Sequence, residues 1–542
     1  MAMKTKTLLV SVSFALACAS AARAQQEHHG AASPDAFGSA SVKFQTSCAP
    51  AVKDDFNKGV ALVHSFWFPE AVKTFEAILA RDPGCAMAYW GIALSNWGNP
   101  FGGIKQGRSI ELTKASIEKA GTTGSPTPRE RGYIQAASQL VTDADPGSHR
   151  ARIAAYETAM EQVARDNPTD TEAQIFYALA IAQTASPADK SYAKNLKAAG
   201  ILEPLFEKMP THPGLAHYII HAYDVPALAD RALPAARKYA SLAPAIPHAL
   251  HMPSHTFTRV GLWQESIDTN RRSAEAARKS SGGAGDELHA LDYQIYGYLQ
   301  IAQDQAAKAV IDRARTVVGG AEGVAAGAAG AGAFALAAIP ARYALERSAW
   351  AEAAALTPRP ANTAYTEALT HFARAIGAAR SGNPAAATAD IDRLAALRDK
   401  LREGQDAYWT EQVEIQRRIA LAWQAFAEGR RDEAIAQLST AADAEDATDK
   451  SAISPGPLAP ARELLGDMLL EAGKPTEALA AYESTIKKEP NRFRGLSGAA
   501  TAAAATGDRA KATSYYTKLL DVAKDADTER PELRRANTFF GR

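Results

Sequence analysis

Seven of the 12 histidines fall between His212 and His289. His217, His221 and Asp224 stand at i, i+4 and i+7; His248, His251 and His255 at i, i+3 and i+7; His289, Asp292 and Tyr296 at i, i+3 and i+7. At about 100° per residue each triplet covers about 60° of a helix surface, so each makes one polar stripe on one helix. Neutral imidazole and carboxylate are donors for zinc, copper, iron or nickel, and no cysteine lies in this window. The six histidines with Asp224 and Asp292 suffice for one ion or two, and Tyr218, Tyr223, Tyr293 and Tyr296 can steady the ligands by hydrogen bonds. The same spacing also suits histidines that merely bond across packed helices. Pro253 bears on the second stripe. Inside a helix it kinks the axis; at the first helical position it leaves His248 and His251 ahead of the helix. His64 is a distant candidate, and His28-His29 belong to a short polar lead.

Stripes need helices to carry them. The chain has 542 residues and no net charge, with 60 basic and 60 acidic side chains. That balance advertises neither a nucleic-acid surface nor an acidic tail. Hydrophobic residues make up 46%, much of it alanine, and aromatics 8%, which favours close-packed helices over a β-sandwich. Leu465-Gly466, Gly473, Ala478, Tyr482 and Pro490 follow the spacing of a tetratricopeptide unit, and a shift of 34 gives Ala500, Gly507, Ala512 and Tyr516. Small residues let two antiparallel helices approach, Gly473 turns the chain and Pro490 ends the second helix. Such a hairpin cannot bury its own apolar face, so it stacks on neighbours. Gly59, Ala71, Phe75 and Pro83 repeat the grammar, as do Ala232, Ala236 and Pro244, then Gly261, Trp263 and Ile267. The expected fold is all-α, a right-handed α-solenoid of about twelve hairpins.

The first residues read as an export signal: Lys4 and Lys6, an apolar run from Leu8 to Ala22, and Ala22-Arg23-Ala24 as the cleavage site, so that the mature chain begins at Gln25. Cys18 sits in a poor lipobox, leaving soluble and lipid-anchored forms both open. No other stretch is long and apolar enough to span a bilayer. The protein is therefore expected to be periplasmic or secreted. There, Cys48 and Cys85 would pair across the first hairpin, the alternative being two separate buried thiols. The expected layout is a signal peptide over 1–24, a flexible segment over 25–49 and a histidine-bearing array over 50–318. An Ala/Gly-rich linker over 319–334, middle repeats over 335–445, a linker over 446–457, a repeat pair over 458–525 and a tail over 526–542 complete it.

Four strings are more specific: Phe56 to Trp67, Asp82 to Gly91, His212 to Ala222 and His248 to His255, with Pro460 to Asp467 as a C-terminal counterpart. With these the chain resembles a group of exported bacterial tetratricopeptide-repeat (TPR) proteins of uncharacterised activity, over most of the mature chain. The resemblance implies fold and compartment rather than a reaction. It also implies that the histidine stripes line the inner, concave face. Members of the group often carry a histidine near the stretches matching Gly98-Asn99-Pro100 and Ser451-Ala452; this chain has neither.

Three functions fit. One is an exported scaffold that holds a transition metal (zinc, copper or iron) or another ligand in a histidine-lined groove, and that mediates protein interactions. Another is a metal-dependent enzyme using the same groove, with Asp224 or Asp292 as acid or base. The third is a module that grips a peptide or partner protein, with structural histidines. No phosphate loop, nucleophile elbow or haem-attachment motif is present.

Overall fold

In the computed structural model, residues 37–38, 40–319, 330–359 and 362–542 are described. The expected signal peptide with Cys18, the His28-His29 lead and most of the Ala/Gly-rich linker lie outside them.

Among the described residues, twelve helical hairpins follow one another. The first four pair α1 (Lys53–His64) with α2 (Phe68–Arg81), α3 (Ala86–Trp97) with α4 (Arg108–Thr122), α5 (Pro128–Ser138) with α6 (His149–Asp166), and α7 (Thr171–Gln183) with α8 (Ala193–Lys208). The next three pair α9 (Pro213–Ala222) with α10 (Leu233–Leu242), the split helix α11 (Pro247–His251) and α12 (Pro253–Arg259) with α13 (Trp263–Arg278), and α14 (Ala284–Gln300) with α15 (Asp304–Val318). The last five are α16 (Gly330–Glu346) with α17 (Trp350–Ala354), α18 (Ala364–Arg380) with α19 (Thr388–Glu403), α20 (Ala407–Ala427) with α21 (Arg431–Asp446), α22 (Ala461–Glu471) with α23 (Pro475–Lys488), and α24 (Phe493–Ala505) with α25 (Arg509–Val522). α26 (Pro531–Phe539) closes the chain. Among the described residues there is no strand. The architecture is an all-α, TPR-like solenoid.

The repeat physics is visible at both ends. Phe75 on α2 lies against Gly59 and Gly91, where an added Cβ would meet its ring at 2.8 and 2.3 Å. Tyr482 on α23 lies likewise against Gly466 and Gly498, at 2.7 and 2.3 Å. One aromatic side chain thus fills the space that two glycines on neighbouring helices leave, and locks hairpin to hairpin. Gly473 turns α22 into α23 at φ 76°, a conformation that costs a non-glycine residue.

Several expected boundaries shift. Residues 40–49 are packed rather than a flexible lead: Phe44 is buried against Phe56, Trp90 and Tyr133, with ring centroids 5.3–5.4 Å away. Val42 and Phe44 are two apolar anchors in a polar stretch, enough to hold it. The Glu130 carboxylate accepts from the Ser47 N–H at 2.6 Å and the Thr127 N–H at 2.7 Å, joining this segment to the cap of α5. Residues 330–334, expected as linker, already belong to α16. The tail holds α26, preceded by Arg530, which pairs with Asp304 at 3.0 Å.

The C-terminal hairpins fold back on the middle of the array. Trp263 Nε1 donates to the Asn491 carbonyl at 2.8 Å, Asn491 Nδ2 donates to the Gly261 carbonyl at 3.1 Å, and Gln300 accepts from the Phe493 N–H at 3.0 Å. The 446–457 segment, expected only as a linker, is a strap laid over α12 and α14: Lys450 Nζ is 3.3 Å from Asp224, and the Tyr293 hydroxyl lies 3.2–3.3 Å from the carbonyls of Ala452 and Ser454.

Cys48 and Cys85 are disulfide-bonded, with Cα atoms 4.7 Å apart. Closing a loop over a sequence separation of 37 is worth about 4 kcal/mol in the chain-entropy model. Thiol titration of the denatured, unreduced chain from Gln25 onward is expected to find no free thiol, and two after reduction. The Cys48→Ser/Cys85→Ser variant should lose amide-exchange protection over α1 and α2 first. Two free thiols in the untreated protein would contradict the pairing.

Candidate metal centre

The first-helix positions of three consecutive hairpins, α9, α11–α12 and α14, carry the six histidines. They do not meet at one point, as their stripes suggest; they sort into two trios. One ring nitrogen from each of His217, His221 and His248 lies within 4.8 Å of the other two, and so it is for His251, His255 and His289.

Pro253 interrupts the helix that carries three of them, between His251 and His255 of one trio. It lacks the N–H that the helix would need there, and the helix breaks into α11 and α12 around Met252. His248 turns to α9 and joins the first trio, whereas His251 and His255 face α14 and His289.

In the first trio, His217 Nε2 is 3.1 Å from His221 Nε2 and 3.2 Å from His248 Nε2. Its Nδ1 is 2.6 Å from the His64 carbonyl oxygen. A carbonyl only accepts, so Nδ1 carries the proton and Nε2 presents a bare lone pair to the other two rings. Gly214 permits this approach: a Cβ there would meet the His64 ring at 2.6 Å. The walls are aromatic. Phe101 stacks on His221 at 4.0 Å, Tyr239 on His217 at 5.1 Å and Phe66 on His248 at 5.2 Å.

The second trio follows the same logic. His251 Nδ1 donates to Asn270 Oδ1 at 2.6 Å, and Asn270 is fixed in that sense because its amide nitrogen donates to the Ser266 carbonyl at 2.7 Å. His255 Nδ1 donates to Asp224 Oδ2 at 2.8 Å. Both Nε2 atoms are then bare, and they face each other at 3.0 Å. His289 completes the set, its ring centroid 4.4 Å from that of His251 and its Nδ1 buried without a partner. Tyr293 stands at 4.6–5.3 Å from all three rings, its hydroxyl 3.4 Å from His255 Nε2.

Two lone pairs at that distance repel unless a cation lies between them. A proton is disfavoured. Burial first, and then the neighbouring imidazoles, hold His217, His221, His248 and His251 well below the ordinary histidine range, and His289 at about 3. His255 is lowered by burial although Asp224 opposes it. With bonds of about 2.0–2.1 Å, nitrogen spacings like these correspond to N–metal–N angles of about 95–105°. The donor sets fit a transition ion; hydrogen-bonded Nδ1 atoms behind bare Nε2 atoms are the arrangement that orients imidazole ligands.

The other expected site residues stand elsewhere. Asp224 lies beyond the end of α9 and is no inward ligand: its oxygens bind His255 Nδ1, Arg259 Nε at 2.9 Å and Lys450 Nζ at 3.3 Å. Burial alone would raise its carboxyl; Lys450, Arg259 and His255 outweigh burial and hold it well below the usual range. Asp292 is fully buried and serves Arg342 Nε at 2.8 Å, turned from the imidazoles. Tyr218 supports His64 Nδ1, hydroxyl to nitrogen 2.9 Å, rather than a trio. Tyr296 belongs to Arg492, 2.6 Å away, and Tyr223 donates to Glu203 at 2.7 Å. A buried cation claims Asp224, Asp292 and Tyr296, the His64 ring claims Tyr218 and the partly exposed Glu203 claims Tyr223, and sequence spacing shows none of these competitors.

His64, Glu172 and His212 form a separate buried set. Glu172 accepts from both histidines at 2.9 Å, and these two outweigh the burial that would otherwise raise its carboxyl. His212 Nδ1 is left buried without a partner, and the set connects to the first trio through the His64 carbonyl. Phe66, Phe101, Asn270 and Lys450 were not foreseen. Phe101 lies beside the first trio, and the 451–454 stretch touches Tyr293 beside the second.

No family model and no curated protein matches the chain. Among solved structures, the human IFIT1 dimer with PPP-AAAA is similar at 12% identity over 77% of this chain and 87% of that one, with a TM-score of 0.36. The Cut9–Hcn1 hetero-tetramer of APC/C gives 12% identity over 90% and 76%, with a TM-score of 0.35. The P58(IPK) TPR domain gives 13% identity over 91% and 98%, with a TM-score of 0.20. At TM-scores this low the likenesses carry no argument, and the solenoid assignment rests on the hairpin packing above.

Proposed function

We propose that this chain is an exported TPR-like scaffold that holds a transition metal in its histidine trios. The observation that carries the reading is the pair of bare Nε2 atoms of His251 and His255 at 3.0 Å, each fixed by an acceptor behind its own Nδ1. Satisfied structural histidines would pair donor with acceptor; these present acceptor to acceptor. The reading includes export through the leader ending at Ala24, and a periplasmic or secreted location. Among the described residues no helix is long and apolar enough to cross a membrane.

A metal-dependent enzyme is the second reading, and one observation favours it over pure storage. Each set offers three protein nitrogens, which leaves a coordination position for water or substrate, as catalytic sites do. A small cavity of about 60 Å³ adjoins the strap, with Arg259, Arg342, Trp409 and Lys450 among its lining residues. A peptide gripped beside the trios is the less favoured case, because the chain's own strap occupies that face.

The test is elemental analysis of the mature protein made without an affinity tag. At least one equivalent of copper, zinc or iron per chain is expected. The His217→Ala/His251→Ala variant removes the central nitrogen of each trio and should lose the metal while its helical circular dichroism is retained. Metal-free protein after exposure to all three ions, or stoichiometric metal in the folded variant, would overturn the proposal.

A further inference from the structure

The geometry points to a dinuclear centre: two transition-metal ions, one in each trio, seated side by side with their open positions turned to a space that a small oxygen-donor anion such as hydroxide can bridge. This rests on the metal-binding reading above and extends it from a site to a pair.

The trios are two separate sets of nitrogens and close neighbours. Within each, paired nitrogens lie 3.0–3.2 Å apart. Between them, the ring centroids of His221 and His255 are 6.0 Å apart and those of His248 and His251 are 6.2 Å apart. The closely grouped nitrogens form two separate sets of three, so each ion has its own set of ligands. Their separation is also fixed by a single element. His248 serves the first trio and His251 the second, and both stand on α11, where a three-residue step is about 4.5 Å along the axis. His255 follows one turn later, past the Pro253 break. The two ions would thus sit about one helical turn apart, their spacing set by backbone rather than by flexible side chains.

The charge distribution asks for a bridge. All six donors are neutral imidazoles, so neither ion is neutralised by its own ligands. The nearest carboxylate, Asp224, joins the two halves: it follows α9, which carries His217 and His221, and it bonds His255 of the other trio. Arg259 and Lys450 already draw on its charge. A shared anion between the ions lowers their mutual repulsion without needing a protein carboxylate. The strap limits that anion's size, since Tyr293 is tied to the carbonyls of Ala452 and Ser454 directly over the second trio.

Copper(II) is the probe, because it binds imidazole sites most tightly among the first-row divalent ions and its unpaired spin reports on a neighbour. The tag-free mature chain carrying His28→Ala and His29→Ala is titrated, and bound copper is compared with paramagnetic-resonance intensity. Two equivalents are expected, with the signal per copper falling well below that of an isolated ion as the second site fills. Two single-trio variants, His221→Ala and His289→Ala, should each bind one equivalent at full signal. The wild-type titration is decisive even where a variant fails to fold. One equivalent, or two with undiminished signal, overturns the dinuclear centre and leaves the metal-binding reading standing. No binding of any metal overturns both.

Discussion

Replacing Arg492 by methionine is expected to destabilise the protein by about 3–5 kcal/mol, the cost of breaking a buried ion pair from one side. Arg492 is fully buried at the start of α24, and its guanidinium holds three elements together. Nε donates to Glu463 on α22 at 3.0 Å, Nη2 to Glu346 on α16 at 2.7 Å, and Nη1 to the Tyr296 hydroxyl on α14 at 2.6 Å. Arg494, also bound to Glu463 at 3.1 Å, is the one other cation on that carboxylate. Without Arg492, two carboxylates face each other away from water. In an array of hairpins the loss is local before it is global, so the measurement is amide exchange over α14, α22 and α24 beside thermal melting. The triple variant Arg492→Met/Glu346→Gln/Glu463→Gln should regain much of the loss, because it removes the stranded charges along with their partner. A cost near 1 kcal/mol for the single variant would mean that these carboxylates reach solvent.

That network shows what the sequence could and could not disclose. The hairpins were legible because their cause is local: Gly466, Gly473, Ala478 and Pro490 each act on residues a turn or a helix away. The histidine stripes were legible for the same reason, since i, i+4 and i+7 define a face without any knowledge of the partner. What each stripe faces depends on contacts between distant residues. Asp292 shares its helix face with His289, yet Arg342, 50 residues on, claims it. Tyr296 sits one turn beyond Asp292 and is claimed by Arg492, 196 residues on. The sorting of six histidines into two trios turns on distant partners: His248 meets His217 of α9 while His251, on the same short helix, meets His289 of α14, and the foreseen Pro253 break falls inside the second trio. Phe44 shows the reverse failure. A polar average over residues 25–49 concealed one ring large enough to seat residues 40–49 in the core.

Metal should slow amide exchange in α9, α11, α12 and α14, and leave the hairpin of α18 and α19 unchanged. An ion that binds only the closed arrangement stabilises it by RT ln(1 + [L]/Kd), about 4.1 kcal/mol at a thousandfold excess over Kd. Every opening that separates α9 from α11, or α12 from α14, must first release the ion. Exchange through such openings should therefore slow up to about 1000-fold, and a chelator should restore the original rates. The pattern separates the site from general tightening. Loss of His289 should cancel the protection of α14 more than that of α9, because α14 then has no ligand in either trio, whereas His217 and His221 still hold their ion with His248. Protection spread evenly over all twelve hairpins, or none anywhere, would place the ion outside the trios. Protection confined to α9 and α11 in the unmodified chain would keep the first trio as a site and remove the second. The experiment reads the same geometry that the bare nitrogens define, without depending on any assumed reaction.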